Sequence, residues 1–252
     1  MISSHGQTDT GRRRSLNEDA ILALDNLFIV CDGMGGRKAG EVASQLALDV
    51  IAAFVKRSAE DPEITWPYGF YRGASFDGNR LRTAIKLANR AVFRKAASSD
   101  DYTGMGTTVA ATIISHNRPQ MTHAHVGDSR LYLIREDVIL QLTQDDSWAN
   151  LSWEGSGEPD DTAKVSMKHV LTKALGAQDD VDFEVVDQEL THGDIVLLCS
   201  DGLTNMVPDK RILDIVSAHR GDLERASEAL VAEANSQGGR DNISVILVRY
   251  DL

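Results

Sequence analysis

Leu27-Phe28-Ile29-Val30-Cys31 is an unbroken apolar run that stops at Asp32, and glycines at 33, 35, 36 and 40 follow before a helical pattern begins. A short apolar run bounded by turn formers reads as a buried strand. An ionised, unpaired carboxylate at its mouth would be costly, so it calls for a cation or a hydrogen-bond partner. A single Asp-Gly has a plainer explanation as an Asx turn or helix cap. This chain repeats the arrangement. Ile195–Ser200 runs into Asp201-Gly202, His123–Gly127 runs into Asp128-Ser129-Arg130, and Gly238-Gly239-Arg240 leads to Asp241-Asn242 at the head of Ile243–Val248. Four carboxylates thus stand at strand ends beside glycines, with no lysine as an obvious counter-ion, and they point to a shared site. Clustered carboxylates repel unless something divalent lies between them, and oxygen-only ligands favour a hard ion such as Mg²⁺ or Mn²⁺.

Composition narrows the partners. The 252 residues are enough for one large domain with a real core, and no linker-like stretch divides them, so a single domain over 1–252 is expected. A net charge of −12 argues against nucleic acid, whose backbone needs a basic face. It also requires that a phosphorylated substrate be attracted locally, by metal and a few arginines. Residues 1–15 are polar, and no apolar run approaches the roughly 18 residues of a membrane span. The two cysteines, Cys31 and Cys199, sit inside apolar runs and read as reduced core thiols of a cytoplasmic protein.

Periodicity gives the elements. Residues 1–15 read as extended or irregular, Ala20–Leu24 as a strand that turns at Asp25-Asn26 into the central strand, and Val42, Leu46, Val50 and Phe54 as the apolar stripe of a helix. Residues 59–78 form a loop rich in turn formers and aromatics, and Leu81, Ile85, Ala88 and Val92 mark a second helix. From Gly106 the period becomes two: Thr107–Ser115, Gln120–Val126, Arg130–Arg135 and Val138–Leu142 are short antiparallel strands. His123 and His125 share one strand face, more in keeping with structural than with ligating histidines. Val170–Leu175 reads as a short helix, followed by strands Val181–Glu189 and Ile195–Cys199. Helices at Pro208 onward (Ile212, Ile215, Val216) and at Leu223–Ala234 precede a final strand, Asn242–Arg249. Strands cluster apart from helices, which makes the class α+β.

Eight motifs in order carry a resemblance to a known family: Arg14-Ser-Leu-Asn17-Glu18-Asp19, Cys31-Asp-Gly-Met-Gly-Gly36, Gly104-Met-Gly-Thr-Thr108, Gly127-Asp-Ser-Arg130, Leu142-Thr-Gln-Asp-Asp-Ser-Trp148, Val170-Leu-Thr-Lys-Ala-Leu-Gly176, Ser200-Asp-Gly-Leu203 and Gly239-Arg-Asp-Asn-Ile243. The chain resembles bacterial metal-dependent serine/threonine protein phosphatases of type 2C. The resemblance implies a four-layer αββα fold, an antiparallel β-sandwich flanked on both faces by helix pairs. It implies hydrolysis of phosphoserine and phosphothreonine in proteins by a hydroxide held between two Mn²⁺ or Mg²⁺ ions. In that scheme Asp32 bridges the ions with the Gly33 carbonyl, and Asp201 and Asp241 complete one ion's shell. Arg14 binds phosphate, Glu18 and Asp19 orient metal-bound waters, Asn242 positions Asp241 or a water, and Asp128 with Asp201 holds a third ion. Residues 143–169 correspond to the family's substrate-selecting flap, within which many bacterial relatives have His in place of Asp146.

The resemblance also implies a monomer that opposes a serine/threonine kinase in signal transduction, and the Trp66-Pro-Tyr-Gly stretch looks similar to a subgroup linked to type VI secretion. One departure is Met34, where eukaryotic relatives carry a His able to protonate the leaving group; Met cannot. The rival readings are weaker. Gly33-x-Gly35-x-x-Lys38 fails both nucleotide-loop patterns, and a two-metal nuclease lacks a basic groove. A catalytically inactive phosphatase-like binding module would have lost a metal aspartate, and Asp32, Asp201 and Asp241 are all present.

Overall fold

Alternation along the apolar runs resolves into two antiparallel sheets. The computed structural model describes residues 1–35, 39–61, 63–148 and 170–251. In chain order the strands are β1 (Ile2–Asp9), β2 (Asp19–Leu24), β3 (Leu27–Met34), β4 (Gly106–Thr107), β5 (Val109–Ile114), β6 (Gln120–Val126), β7 (Arg130–Arg135), β8 (Val138–Gln141), β9 (Val185–Glu189), β10 (Asp194–Cys199) and β11 (Ile243–Tyr250). The helices are α1 (Ala39–Glu60), α2 (Phe76–Ala96), the single turn α3 (Asp201–Thr204), α4 (Asp209–Ala218) and α5 (Leu223–Ser236). One sheet has the order β1-β11-β10-β7-β8; the other is β2-β3-β5-β6-β9, with β4 paired to β3.

Three apolar layers hold these sheets and helices together. Phe28, Val30, Leu131, Leu198 and Ile246 fill the space between the sheets. Ile29, Ile51, Ile85 and Val109 pack α1 and α2 onto one outer face, and Leu197, Ile215, Leu230 and Val245 pack α4 and α5 onto the other. The result is the expected αββα sandwich. Each fully buried Leu, Ile or Phe contributes about 1.5–3 kcal/mol from burial alone. Cys31 and Cys199 are free and buried, and burial pushes the Cys199 thiol up to about 12, so both are inert core groups.

Several expectations are corrected. On α1 the buried face is Ala43, Ala47, Ile51 and Val55, joined by Phe54 of the expected stripe, whereas Val42, Leu46 and Val50 are only partly covered. Small alanines let α1 approach closely, so the bulkier stripe is rotated to its flank. Val170–Leu175 is not helical: Leu171 pairs with Ser147 and Leu175 with Thr107 in isolated antiparallel bridges, and that pairing overrides local propensity. The strand expected from Val181 begins only at Val185. The N-terminal segment is extended and then irregular as read, its extended part being a full strand registered on β11 from Ile2↔Tyr250 to Asp9↔Ile243. Of the aromatics in the 59–78 stretch, Trp66 packs edge-on against Phe54, Phe70 and Phe76, and Tyr71 is exposed.

His123 is a core residue of β6, facing Thr112 on one side and Val186 on the other. Burial, then the neighbouring His125, lowers its pKa to about 4 against a partly opposing Asp187. A base with a depressed folded pKa stays neutral while the unfolded chain protonates. The stability it contributes is therefore complete above about 6.5 and is lost as pH falls toward 4. Denaturant titration should show wild type losing about 2 kcal/mol more than His123→Gln between pH 7.5 and 5. Parallel losses in the two proteins would refute this assignment.

Candidate active site

Asp32 lies near the C-terminal end of strand β3, opposite Asp19 of β2 in the hairpin register. Its backbone is braced by Thr107 of β4 and by Thr108, the residue between β4 and β5. The Asp32 N–H donates to Thr108 Oγ1 at 3.0 Å, and its carbonyl accepts Thr108 N–H and Thr107 Oγ1, both at 2.9 Å. Thr108 Oγ1 in turn pairs with Ser129 Oγ at 2.7 Å. Gly33 follows under close backbone contact, since a Cβ there would lie 2.2 Å from the Gly40 carbonyl and 2.5 Å from that of Glu18. Only glycine fits where the strand, the α1 start and the Glu18 segment meet.

That segment is held from the other sheet. Asn242 Oδ1 accepts the Glu18 N–H at 2.8 Å, and Asn242 Nδ2 donates to the Thr10 and Leu16 carbonyls, each at 2.9 Å. The Asn242 N–H also donates to Asp241 Oδ1 at 2.9 Å. Asp19 Oδ2 accepts Ser200 Oγ at 2.8 Å and Ser244 Oγ at 2.6 Å, tying β2 to the ends of β10 and β11. Its second oxygen, Oδ1, is buried with no hydrogen-bond partner among the described residues.

Asp201 opens α3 directly after β10, and Asn205 Nδ2 donates to its Oδ2 at 2.9 Å. Asp241 precedes β11 and receives Arg14 Nη2 at 2.7 Å, a partly exposed ion pair. Asp128 sits in the crossing from β6 to β7. Asp32, Asp128, Asp201 and Asp241 all line one cleft of about 640 Å³, together with Arg14, Glu18, Gly33 and Asn242. Asp19 stands behind these wall residues.

The electrostatics fit cations. Burial pushes the Asp32 carboxyl well above the usual range, and the negative charges of Asp19, Asp201, Asp128 and Asp241 push it further. Burial, then Asp201 and Asp145, raises Asp128 to about 7; burial raises Asp19 to about 7 against its two serine donors. Burial also raises Glu18, opposed by Arg14. A set of oxygen donors that disfavour each other's ionisation, with one orphaned buried oxygen beside them, is suited to hard divalent ions and their waters. Among the described residues no three His, Cys, Asp or Glu side chains converge into a single ready-made cage. Ions here would therefore draw on the Gly33 carbonyl and on water as well as on carboxylates.

Other expected residues lie elsewhere. His123 is core, and His125 Nε2 meets the Gln144 carbonyl at 2.8 Å. Asp146 accepts the Gly127 N–H at 3.1 Å and pairs with Lys173 at 3.1 Å, so it braces the turn before Asp128 and is not a free surface acid. Most of the flap, residues 149–169, lies outside the described residues. The sequence reading gave no role to Thr107, Thr108, Ser129, Ser200, Asn205 or Ser244. A signal was there: Ser200 and Ser244 are hydroxyls embedded at the ends of apolar runs, and both are fully buried.

The Protein phosphatase 2C family model matches residues 7–241. The chain belongs to the protein phosphatase 2C family. The serine/threonine phosphatase stp of Listeria monocytogenes is 37% identical over 98% of this 2C-family chain and 95% of its own length. Among solved structures, the catalytic domain of the serine/threonine protein phosphatase PstP in complex with two manganese ions superposes with a TM-score of 0.80. It is 30% identical, covering 100% of this chain and 99% of that one. PppA, a key regulatory component of T6SS in Pseudomonas aeruginosa, gives 0.77 at 27% identity, covering 98% and 97%.

Proposed function

We propose that this cleft hydrolyses phosphoserine and phosphothreonine esters of proteins, with Asp32, the Gly33 carbonyl, Asp201 and Asp241 holding two divalent ions. Family membership makes the chain a metal-dependent protein serine/threonine phosphatase. The carrying observation is the convergence of Asp32, Asp128, Asp201, Asp241 and Arg14, from five distant segments, on one cleft. When bound, such ions acidify a water and neutralise charge on the phosphoryl group. Arg14 offers a planar fork that can leave Asp241 to grip phosphate oxygens. Glu18 and Asp19 orient waters through oxygens that the protein leaves available, and Asp128 with Asp201 provides for a third ion. Met34 lines the cleft but carries no transferable proton, so the leaving alkoxide takes its proton from solvent within the site.

Manganese is the favoured ion, supported by the manganese-bound relative. The substrates are phosphoproteins modified by a serine/threonine kinase that this enzyme opposes, in cytoplasmic signal transduction. Similarity to PppA supports a place in type VI secretion control. Cleavage of p-nitrophenyl phosphate should require Mn²⁺ or Mg²⁺ and stop with EDTA. Arg14→Ala should lower kcat/KM for a phosphothreonine peptide by roughly 10–100-fold, the worth of a charge-assisted contact. Metal-independent cleavage, or an unaltered Arg14→Ala enzyme, would overturn the assignment.

A further inference from the structure

The outer face of α2 has a charge opposite to that of the rest of the molecule. Residues 63–95 contain seven basic side chains against two acidic ones, in a chain whose net charge is −12. Four of the seven, Arg82, Lys86, Arg90 and Arg94, recur every fourth residue within Phe76–Ala96 and so form one row along the helix. At a rise of about 1.5 Å per residue the row is about 18 Å long. Arg82, Arg90 and Arg94 are exposed. No ion pair to any of these three is found among the described residues. Lys86 is partly engaged, 2.8 Å from Asp180 and over the Tyr68 ring at 5.6 Å.

The helix N-terminal end of this row abuts exposed rings. Tyr71 is 60% and Phe76 48% exposed, Arg82 lies 5.9 Å from the Tyr71 ring, and Arg80 lies 4.5 Å from the Phe76 ring. Aromatic rings beside guanidinium groups are the composition of protein-binding surfaces. The other end leads toward the active site. Phe93 and Ala97 line an apolar cavity of about 560 Å³, which shares Met34 and Leu171 with the catalytic cleft.

We infer that the α2 row is a docking surface for an acidic segment of the phosphoprotein substrate. An acidic stretch is repelled by the net charge of the molecule and attracted along this row, so the row selects both the partner's charge and its direction of approach. A length of 18 Å matches about five or six residues of extended peptide. The inference rests on the phosphatase reading for its link to turnover, but not for binding itself.

Binding is therefore tested first, without catalysis. A fluorescein-labelled, unphosphorylated peptide containing six consecutive glutamates should bind wild type at low ionic strength and dissociate as salt is added. The triple variant Arg82→Glu/Arg90→Glu/Arg94→Glu should lose at least tenfold in affinity, and the milder Arg82→Gln/Arg90→Gln/Arg94→Gln should lose less. Lys210→Glu/Arg225→Glu, on the opposite helix pair, should bind like wild type. For turnover, the KM of a phosphothreonine peptide with that acidic tail should rise at least tenfold in the triple variant, whereas its kcat and the KM of p-nitrophenyl phosphate should hold within twofold. Tracer affinity indifferent to the triple substitution, equal loss in the opposite-face variant, or preferential binding of single-stranded DNA at the row would overturn the inference. Failure of all p-nitrophenyl phosphate cleavage would instead strike the functional assignment and leave the tracer result standing.

Discussion

Asp32→Asn should lower kcat by about 10³-fold or more and remove the stabilisation that metal gives the wild type. In wild type the Asp32 carboxyl is desolvated and surrounded by the charges of Asp19, Asp201, Asp128 and Asp241, all of which raise its pKa. For an acid raised on folding, the penalty sets in as pH climbs above the ordinary value of 3.8 and is fully present at alkaline pH. Asparagine keeps the shape and removes the charge. In EDTA at pH 8 the variant should therefore melt higher than wild type, by about 2–4 °C for each kcal/mol of repulsion relieved. With Mn²⁺ the order should reverse, because ligand binding stabilises only a protein that retains the site. Equal melting points under both conditions would mean that Asp32 neither suffers this repulsion nor binds the ion.

Gly202→Ala is the second large effect. Gly202 follows Asp201 in α3, and a Cβ on it would lie 1.9 Å from the Asn242 carbonyl oxygen. The obstruction is backbone, so no rotamer relieves it. Either α3 or the start of β11 must move, and these carry Asp201 and Asp241. Overpacking of this kind costs about 3 kcal/mol, which corresponds to about 6–12 °C in Tm for a chain of this size. Displacement of the carboxylates by a fraction of an ångström should lower kcat by roughly tenfold or more. Gly221→Ala, where a Cβ meets nothing within 4 Å, is the matched control and should change stability by about 0.5 kcal/mol or less. A thermal melt alike for both variants would refute the steric argument.

Much of this architecture is legible in the amino-acid sequence. Leu27–Cys31 and Ile195–Cys199 are apolar because both faces of β3 and β10 are covered, and α2 shows its inward residues at helical spacing. The cleft carboxylates were legible for the same reason, since each interrupts or adjoins such a run. What stayed hidden depends on partners distant in sequence. β1 reads Ser-Ser-His-Gly-Gln through its middle and is a strand because β11 supplies its ladder, not because of its own side chains. Val170–Leu175 has an amphipathic spacing that suits a helix, yet Thr107 and Ser147 take up its backbone. Asn242 was read as a neighbour of Asp241, but its longest reach, to Thr10 and Leu16, fixes the segment bearing Arg14 and cannot be guessed from spacing.

The cleft lies on the seam between two sheets. Asp19 and Asp32 belong to the β2–β3 hairpin, whereas Asp201 and Asp241 flank β10 and β11 of the opposing sheet; apolar side chains such as Phe28, Leu198 and Ile246 fill most of the layer between, and Asp19 reaches across its edge to Ser200 and Ser244. A cation gripped from both halves would behave as a rivet. Sliding one half past the other by a small fraction of a strand spacing would pull its ligands apart while leaving every strand ladder intact. On heating or in mild denaturant, ion affinity and turnover should therefore fade while far-ultraviolet ellipticity is still unchanged, and saturating ion should delay the slip.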